Sequence, residues 1–178
     1  MSLFASYITV IGSGGGGAWG ADGWIYFDSP GGIGRIQAEG GTPEPLIPLD
    51  SVNGEVGHAW PEALPNGKGL VYRSRRNLNP ADFELVAFDL GTRERHILTK
   101  GLLARYVAPG YLVYLRADGA VLAAPFDQDR LALTGPAVPL FEGVMTKPFG
   151  SADFAISPGG TLAYVPGLAS SGGGVAEL

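Results

Sequence analysis

The 178-residue chain contains no cysteine. Disulfides, thiolate nucleophiles and thiolate-ligated metal sites are excluded together, and the redox compartment is left open. Histidine is scarce, with only His58 and His96 to carry imidazole chemistry. Basic side chains are outnumbered, 12 against 17 acidic ones, for a formal net charge of −5. Such a balance repels a phosphate backbone, so no nucleic-acid partner is expected. Long apolar runs are also missing. The longest near the start, residues 4–11, is broken by Ser6 and Tyr7 and falls far short of the roughly 18 residues that a spanning helix needs. No membrane span is expected, and without a basic n-region this stretch is a poor signal peptide. A content of 46% hydrophobic and 16% charged residues nevertheless describes a globular chain with a sizeable core.

Glycine and proline are plentiful, 29 and 14 residues, with no collagen period. They read as turn punctuation in an all-β chain. Four times a short turn leads into an apolar run ending in tyrosine. The copies are Gly20-Ala21-Asp22-Gly23-Trp24-Ile25-Tyr26, Pro65-Asn66-Gly67-Lys68-Gly69-Leu70-Val71-Tyr72, Pro109-Gly110-Tyr111-Leu112-Val113-Tyr114 and Ser157-Pro158-Gly159-Gly160-Thr161-Leu162-Ala163-Tyr164. Successive tyrosines are 46, 42 and 50 positions apart (72−26, 114−72 and 164−114). Those spacings lie in the window where one supersecondary unit is repeated. Tyr26, Tyr72, Tyr114 and Tyr164 are therefore read as structural repeat positions, core residues of equivalent strands and not a sugar or peptide platform.

Between the tyrosines each unit offers further short strands. The second reads as strands over 58–64, 69–74, 83–89 and 95–99, the third over 104–107, 111–116, 120–126 and 138–142, with Asp118-Gly119 as a hairpin turn. The first has strands near 17–19, 24–28, 33–38 and 45–49; the fourth holds only 152–157 and 161–165. Along Glu84-Leu85-Val86-Ala87-Phe88-Asp89, the residues Leu85 and Ala87 share one face while Val86 and Phe88 share the other. Both faces are apolar, as a sheet stacked between two neighbours requires. The expectation is an all-β fold, a β-propeller segment of about three and a half four-stranded antiparallel blades. The blades would occupy approximately 15–50, 56–100, 102–143 and 150–167, after an N-terminal extension or strand over 1–14 and before a flexible Gly/Ser tail over 168–178. The glycine run at 12–17 is not a phosphate loop, because Ala18 and Trp19 stand where Lys and Ser/Thr belong and a strand follows in place of a helix.

These repeats resemble the TolB-like, WD40-like propeller family, whose unit reads roughly Trp-Ser-Pro-Asp-Gly-x-x-Ile-x-Phe. Ser157-Pro158-Gly159-Gly160 and Leu64-Pro65-Asn66-Gly67 are the nearest copies, with Gly159 in place of the usual Asp. Ala18-Trp19-Gly20-Ala21-Asp22-Gly23, Gly40-Gly41-Thr42-Pro43-Glu44-Pro45-Leu46, Gly54-Glu55-Val56-Gly57-His58-Ala59-Trp60-Pro61 and Ala124-Pro125-Phe126-Asp127 look like the propeller segment behind bacterial serine/threonine kinase domains. The likeness covers roughly residues 15–167. It implies a non-catalytic interaction or sensing module with a protein or peptide partner, no cofactor and an extracytoplasmic setting. Such propellers usually have six blades, so the chain is expected to be a fragment of a longer bacterial protein, self-associated as a homodimer when isolated. Two alternatives stay open: the substrate-gating propeller of a prolyl oligopeptidase-like peptidase whose catalytic domain lies elsewhere, and a channel-site lyase or lactonase.

No residue set amounts to a catalytic or metal site. There is no Gly-x-Ser-x-Gly elbow. Asp127 with Asp129, and Glu39 with Glu44, sit in turns, where spacing sets up neither acid–base work nor a calcium loop. His58, at the family's His-x-Trp-Pro position, is read as a hydrogen-bonding tie beside Trp60, and His96 as exposed. Propellers bind through loops at the ring ends and through the channel, which makes Trp60, Arg75 and Arg76 the candidate partner-binding residues.

Overall fold

In the computed structural model, which describes residues 16–157, 159–167 and 174–176, the turns at 20–23, 65–68 and 116–120 each reverse the chain into an antiparallel neighbour. Four strands, β1 (Gly17–Trp19), β2 (Trp24–Ser29), β3 (Gly32–Gln37) and β4 (Glu44–Pro48), pair in sequence order as the first sheet. The second follows the same plan with β5 (Gly57–Ala63), β6 (Gly69–Arg75), β7 (Glu84–Asp89) and β8 (Arg95–Lys100). In the third, β9 (Leu103–Val107), β10 (Tyr111–Leu115) and β11 (Val121–Asp127) pair in order. The outer edge of β11 is shared, its end pairing with β12 (Ala132–Leu133) and its start with β13 (Val138–Phe141).

A two-stranded ribbon, β14 (Thr146–Lys147) with β15 (Ser151–Ala152), precedes a fourth sheet of β16 (Phe154–Ile156), β17 (Leu162–Tyr164) and β18 (Gly174–Ala176). Neither the ribbon nor β18 is foreseen in the sequence reading, which ends the fourth unit at residue 167. Gly174–Ala176 pairs with all of β17, so the stretch read as a flexible tail contributes a strand. The N-terminal extension 1–14, the opening of the glycine run and the rest of the tail lie outside the described residues.

The alternation along β7 decides how the sheets stack. Leu85 and Ala87 join Leu112, Tyr114 and Phe126 of the third sheet in one apolar cluster. Val86 and Phe88 join Tyr26, Ile33 and Ile47 of the first sheet in another. A third cluster brings Val113 and Leu115 against Phe154 and Leu162 of the fourth sheet. Each Val, Leu, Ile or Phe among them taken fully out of water contributes about 1.5–3 kcal/mol, so face-to-face stacking is the main source of stability. Polar ties reinforce it at the rims. Asn66 Nδ2 donates to the Gln128 carbonyl at 3.0 Å and Lys68 Nζ meets Asp129 at 2.6 Å, joining the second and third sheets. Arg93 and Arg95 each donate at 2.6 Å to the carbonyls of Leu46 and Pro48, joining the second sheet to the first.

The repeated tyrosines lie on the second strand of each sheet, but they do not all face the same way. Tyr72 points back toward the first sheet and Tyr114 back toward the second, whereas Tyr26 enters the very cluster that Tyr72 occupies, from the opposite side. Strand side chains alternate, so a one-residue offset between turn and ring is enough to reverse a face. The offset is held locally: the Tyr26 hydroxyl donates to the Asp22 carboxylate of its own turn. The next residue, Phe27, lies on the other face, over Gly34.

Candidate functional site

Where the first sheet hands over to the second, a turn of 3-10 helix at Ser51–Asn53 is capped by the Asp50 side chain, which accepts from the Asn53 amide, and closed by left-handed Gly54. This reversal delivers Glu55 into the interior, 7% exposed. Its carboxylate accepts from the Asp50 amide at 2.7 Å, Ser74 Oγ at 2.8 Å, His58 Nε2 at 2.9 Å and Arg95 Nη1 at 3.1 Å. Burial pushes the Glu55 pKa up, but the Asp50 amide, the Ser74 hydroxyl and His58 outweigh it and hold the group below its ordinary value. His58 is held below its ordinary value of 6.5, chiefly by burial and against the pull of Glu55. The pair is therefore a carboxylate and a neutral imidazole that donates through Nε2. The imidazole also packs on the Tyr72 ring, centroids 4.6 Å apart.

A Ser and a His thus both bond one Glu, the wrong order for nucleophilic catalysis. The serine hydroxyl and His58 Nε2 are both spent on the carboxylate, so neither is placed to activate the other.

Proton linkage gives this cluster a measurable sign. A folded-state pKa below 6.5 means that the unfolded chain takes up the His58 proton first, so stability falls as pH drops through 6.5 toward the folded value. One proton gives a slope of up to about 1.4 kcal/mol per pH unit. Between pH 7.5 and 5.5 the thermal midpoint of the parent is expected to fall relative to that of His58→Gln, which cannot protonate at this position. The opposite contribution of Glu62, whose pKa burial raises in spite of Arg105 and the Tyr106 amide, is common to both proteins and cancels.

Beside the cluster opens a pocket of about 420 Å³, lined among others by Asp28 at the end of β2, His58 and Trp60 of β5, Arg73 and Arg75 of β6, and Phe149. Arg73 is 6% exposed. Its guanidinium lies 4.8 Å from the centroid of the Phe83 ring and donates to the Gly150 carbonyl at 2.6 Å. Burial, followed by the charge of Arg75, pulls its pKa down to about 10, while Asp28 works the other way. Two glycines make room for these cations. A methyl on Gly57 would lie 2.5 Å from Arg75 Nε, and Gly150 is left-handed (φ 71°) with its missing Cβ 2.9 Å from Arg73 Nη1. Trp60 sits in the bulge of β5 at φ 55°, and Phe149 in the turn before β15 at φ 64°. Positive φ is costly for aromatic residues and collects where a fold presents side chains for use.

Of the residues chosen from sequence, Trp60, Arg75 and His58 come together at this pocket. Arg76 does not: it pairs with Glu84 and donates to the Asn53 carbonyl at 3.3 Å. It lies in the bend one residue past the end of β6. The acidic pairs also separate. Asp127 caps its own turn by accepting from the Asp129 and Arg130 amides at 2.9 and 3.0 Å, and Glu44 pairs with Arg35 at 2.6 Å. Sequence reasoning does not single out Glu55, Asp28, Arg73 or Phe149 as site residues. Arg73 and its Gly150 partner are 77 positions apart, with no motif linking them.

Solved structures share this arrangement of sheets. TolB from Acinetobacter baumannii superposes with a TM-score of 0.64 at 23% identity, over 89% of this chain and 39% of that one. The fold is that of a TolB-like propeller segment. This chain thus spans well under half of that TolB chain. No protein-family model matches it, and no curated protein does. Within the propeller segment, the pocket lies at the end of β2 and β6 and beside β5, the first strand of the second blade. Among the described residues no helix is long and apolar enough to cross a membrane, and no three His, Asp or Glu side chains are placed to share a metal ion.

Proposed function

We propose that the chain is a non-catalytic propeller module, part of a longer bacterial protein, that binds a protein or peptide partner at the pocket beside β5. The observation carrying this reading is the pairing at one opening of aromatic and cationic side chains, Trp60 and Phe149 with Arg75, next to a Ser–Glu–His cluster locked in structural hydrogen bonds. Aromatic rings and arginines are the side chains that dominate recognition surfaces. The propeller scaffold by itself decides nothing about function. In this reading the end sheets are covered by further blades of the longer protein or by a second copy.

The test is a titration of the isotope-labelled chain with a library of short peptides, alongside assays on peptide, ester, lactone and glycoside substrates. Amide shifts are expected to gather on Trp60, Arg75 and Ser151, with every substrate left intact. Turnover that disappears on His58→Ala would make the chain an enzyme and overturn the reading.

A further inference from the structure

The pocket carries a local charge opposite to that of the chain. Arg73 and Arg75 stand on its wall against the single carboxylate of Asp28, and His58 beside them is neutral, while the chain as a whole carries −5. Glu55, just behind, is already matched by Arg95 at 3.1 Å. The cations are also short of acceptors. A guanidinium has five N–H donors. Among the described residues the only hydrogen bond of the Arg73 guanidinium is to the Gly150 carbonyl and its buried Nε has no partner, while the Arg75 side chain makes neither a hydrogen bond nor an ion pair, though its carbonyl accepts from the Val56 amide. A buried cation with unmet donors is costly unless something completes it.

Resting on the interaction reading above, we propose that Arg73 and Arg75 form a clamp for one carboxylate of a peptide, whose adjoining apolar side chain lies on Trp60 and Phe149. The sign of the pocket calls for an anion, and its excess of one positive charge suits a monoanion. A phosphate dianion would over-compensate that charge and face the Asp28 carboxylate. The planar fork of arginine matches a carboxylate in two-point contact. The two rings at the mouth select an amphipathic ligand over a small inorganic ion. A volume of about 420 Å³ takes a terminal residue and part of its neighbour.

Three probes test the clamp: acetyl-Ala-Leu-Phe with a free carboxylate, the same peptide as its C-terminal amide, and acetyl-Glu-Phe amide. The first and third distinguish a chain terminus from an acidic side chain as the source of the carboxylate. Affinities are read by calorimetry and the site by amide shifts. At least one acid is expected to bind about tenfold more tightly than the amide, as a charge-assisted pair requires. Arg75→Gln, which removes no bond of the folded chain, is expected to abolish that preference with an unchanged melting temperature. Arg75→Lys is expected to restore part of it. Inorganic phosphate at millimolar concentration is expected not to displace the acid. Equal binding of acid and amide, binding of none of the three, or displacement by phosphate would each overturn the clamp. Acid and amide seated equally well on Trp60 and Arg75 would remove the carboxylate preference and leave the interaction reading standing; only turnover removes that.

Discussion

Replacing Glu55 by alanine is expected to cost about 3–5 kcal/mol, the range for stripping one partner from a buried, hydrogen-bonded charge pair. The carboxylate receives four donors, from Asp50, Ser74, His58 and Arg95, and three of those belong to different strands of the second sheet. Alanine leaves all four without an acceptor, and the Ser74 hydroxyl and His58 ring are sealed from water. Glu55→Gln keeps the volume and can leave its oxygen toward the Asp50 amide, His58 and Arg95 while its amide nitrogen meets Ser74 Oγ, which can accept, so the charge is the main loss and a smaller cost of about 1–3 kcal/mol is expected. Chemical denaturation of the three proteins at pH 7.5 gives the ordering. For a chain of this size each kcal/mol moves the melting midpoint by roughly 2–4 °C. An alanine variant as stable as the parent would mean that the cluster is not formed in solution.

Tyr72 gives a pair of results with opposite signs. Its ring is fully buried between the first two sheets and packs on His58, yet its hydroxyl has no hydrogen-bond partner. Burial drives its pKa upward, in keeping with a phenol that stays neutral. Tyr72→Ala opens a large cavity and is expected to cost about 3–5 kcal/mol. Tyr72→Phe discards only the unsatisfied oxygen and is expected to be neutral or stabilising by up to about 1 kcal/mol. Urea melts with matching slopes decide the case. A loss above 1 kcal/mol for the phenylalanine variant would show that the hydroxyl has an acceptor after all.

The architecture was legible where physics is local. Asp118-Gly119 specifies its hairpin through a glycine that tolerates φ 82°, and the β7 alternation assigns Leu85 and Ala87 to one neighbour and Val86 and Phe88 to the other. Tyr26 marks the limit of that reasoning. The repeat places it beside Tyr72 in kind, but a single residue of register decides which neighbour it meets, and Asp22 fixes that register from within the turn. β18 was illegible for a different reason: a three-residue strand among glycines has almost no propensity of its own and exists through its pairing with β17.

The site was half legible. Trp60, Arg75 and Arg76 are read as loop residues at a propeller end, but Trp60 lies in the bulge of β5 and Arg75 at the last position of β6, half-buried beside the pocket, while only Arg76 lies beyond the strand. Glu55 was hidden because an acid two residues after a 3-10 turn looks solvated. Its burial depends on Arg95, 40 positions away, and on Ser74, 19 away. Phe149 was hidden because its prominence comes from backbone torsion, which the amino-acid type does not announce.

β6 is answerable to three constituencies at once. Leu70, Tyr72 and Ser74 serve the first sheet and Glu55, Val71 serves the third, and Arg73 and Arg75 serve the pocket. A one-residue slip of its register would therefore swap both faces together, turning Arg73 and Arg75 toward the first sheet and Tyr72 and Ser74 toward the pocket. Seven consecutive residues form a single indivisible word in which length is as constrained as spelling.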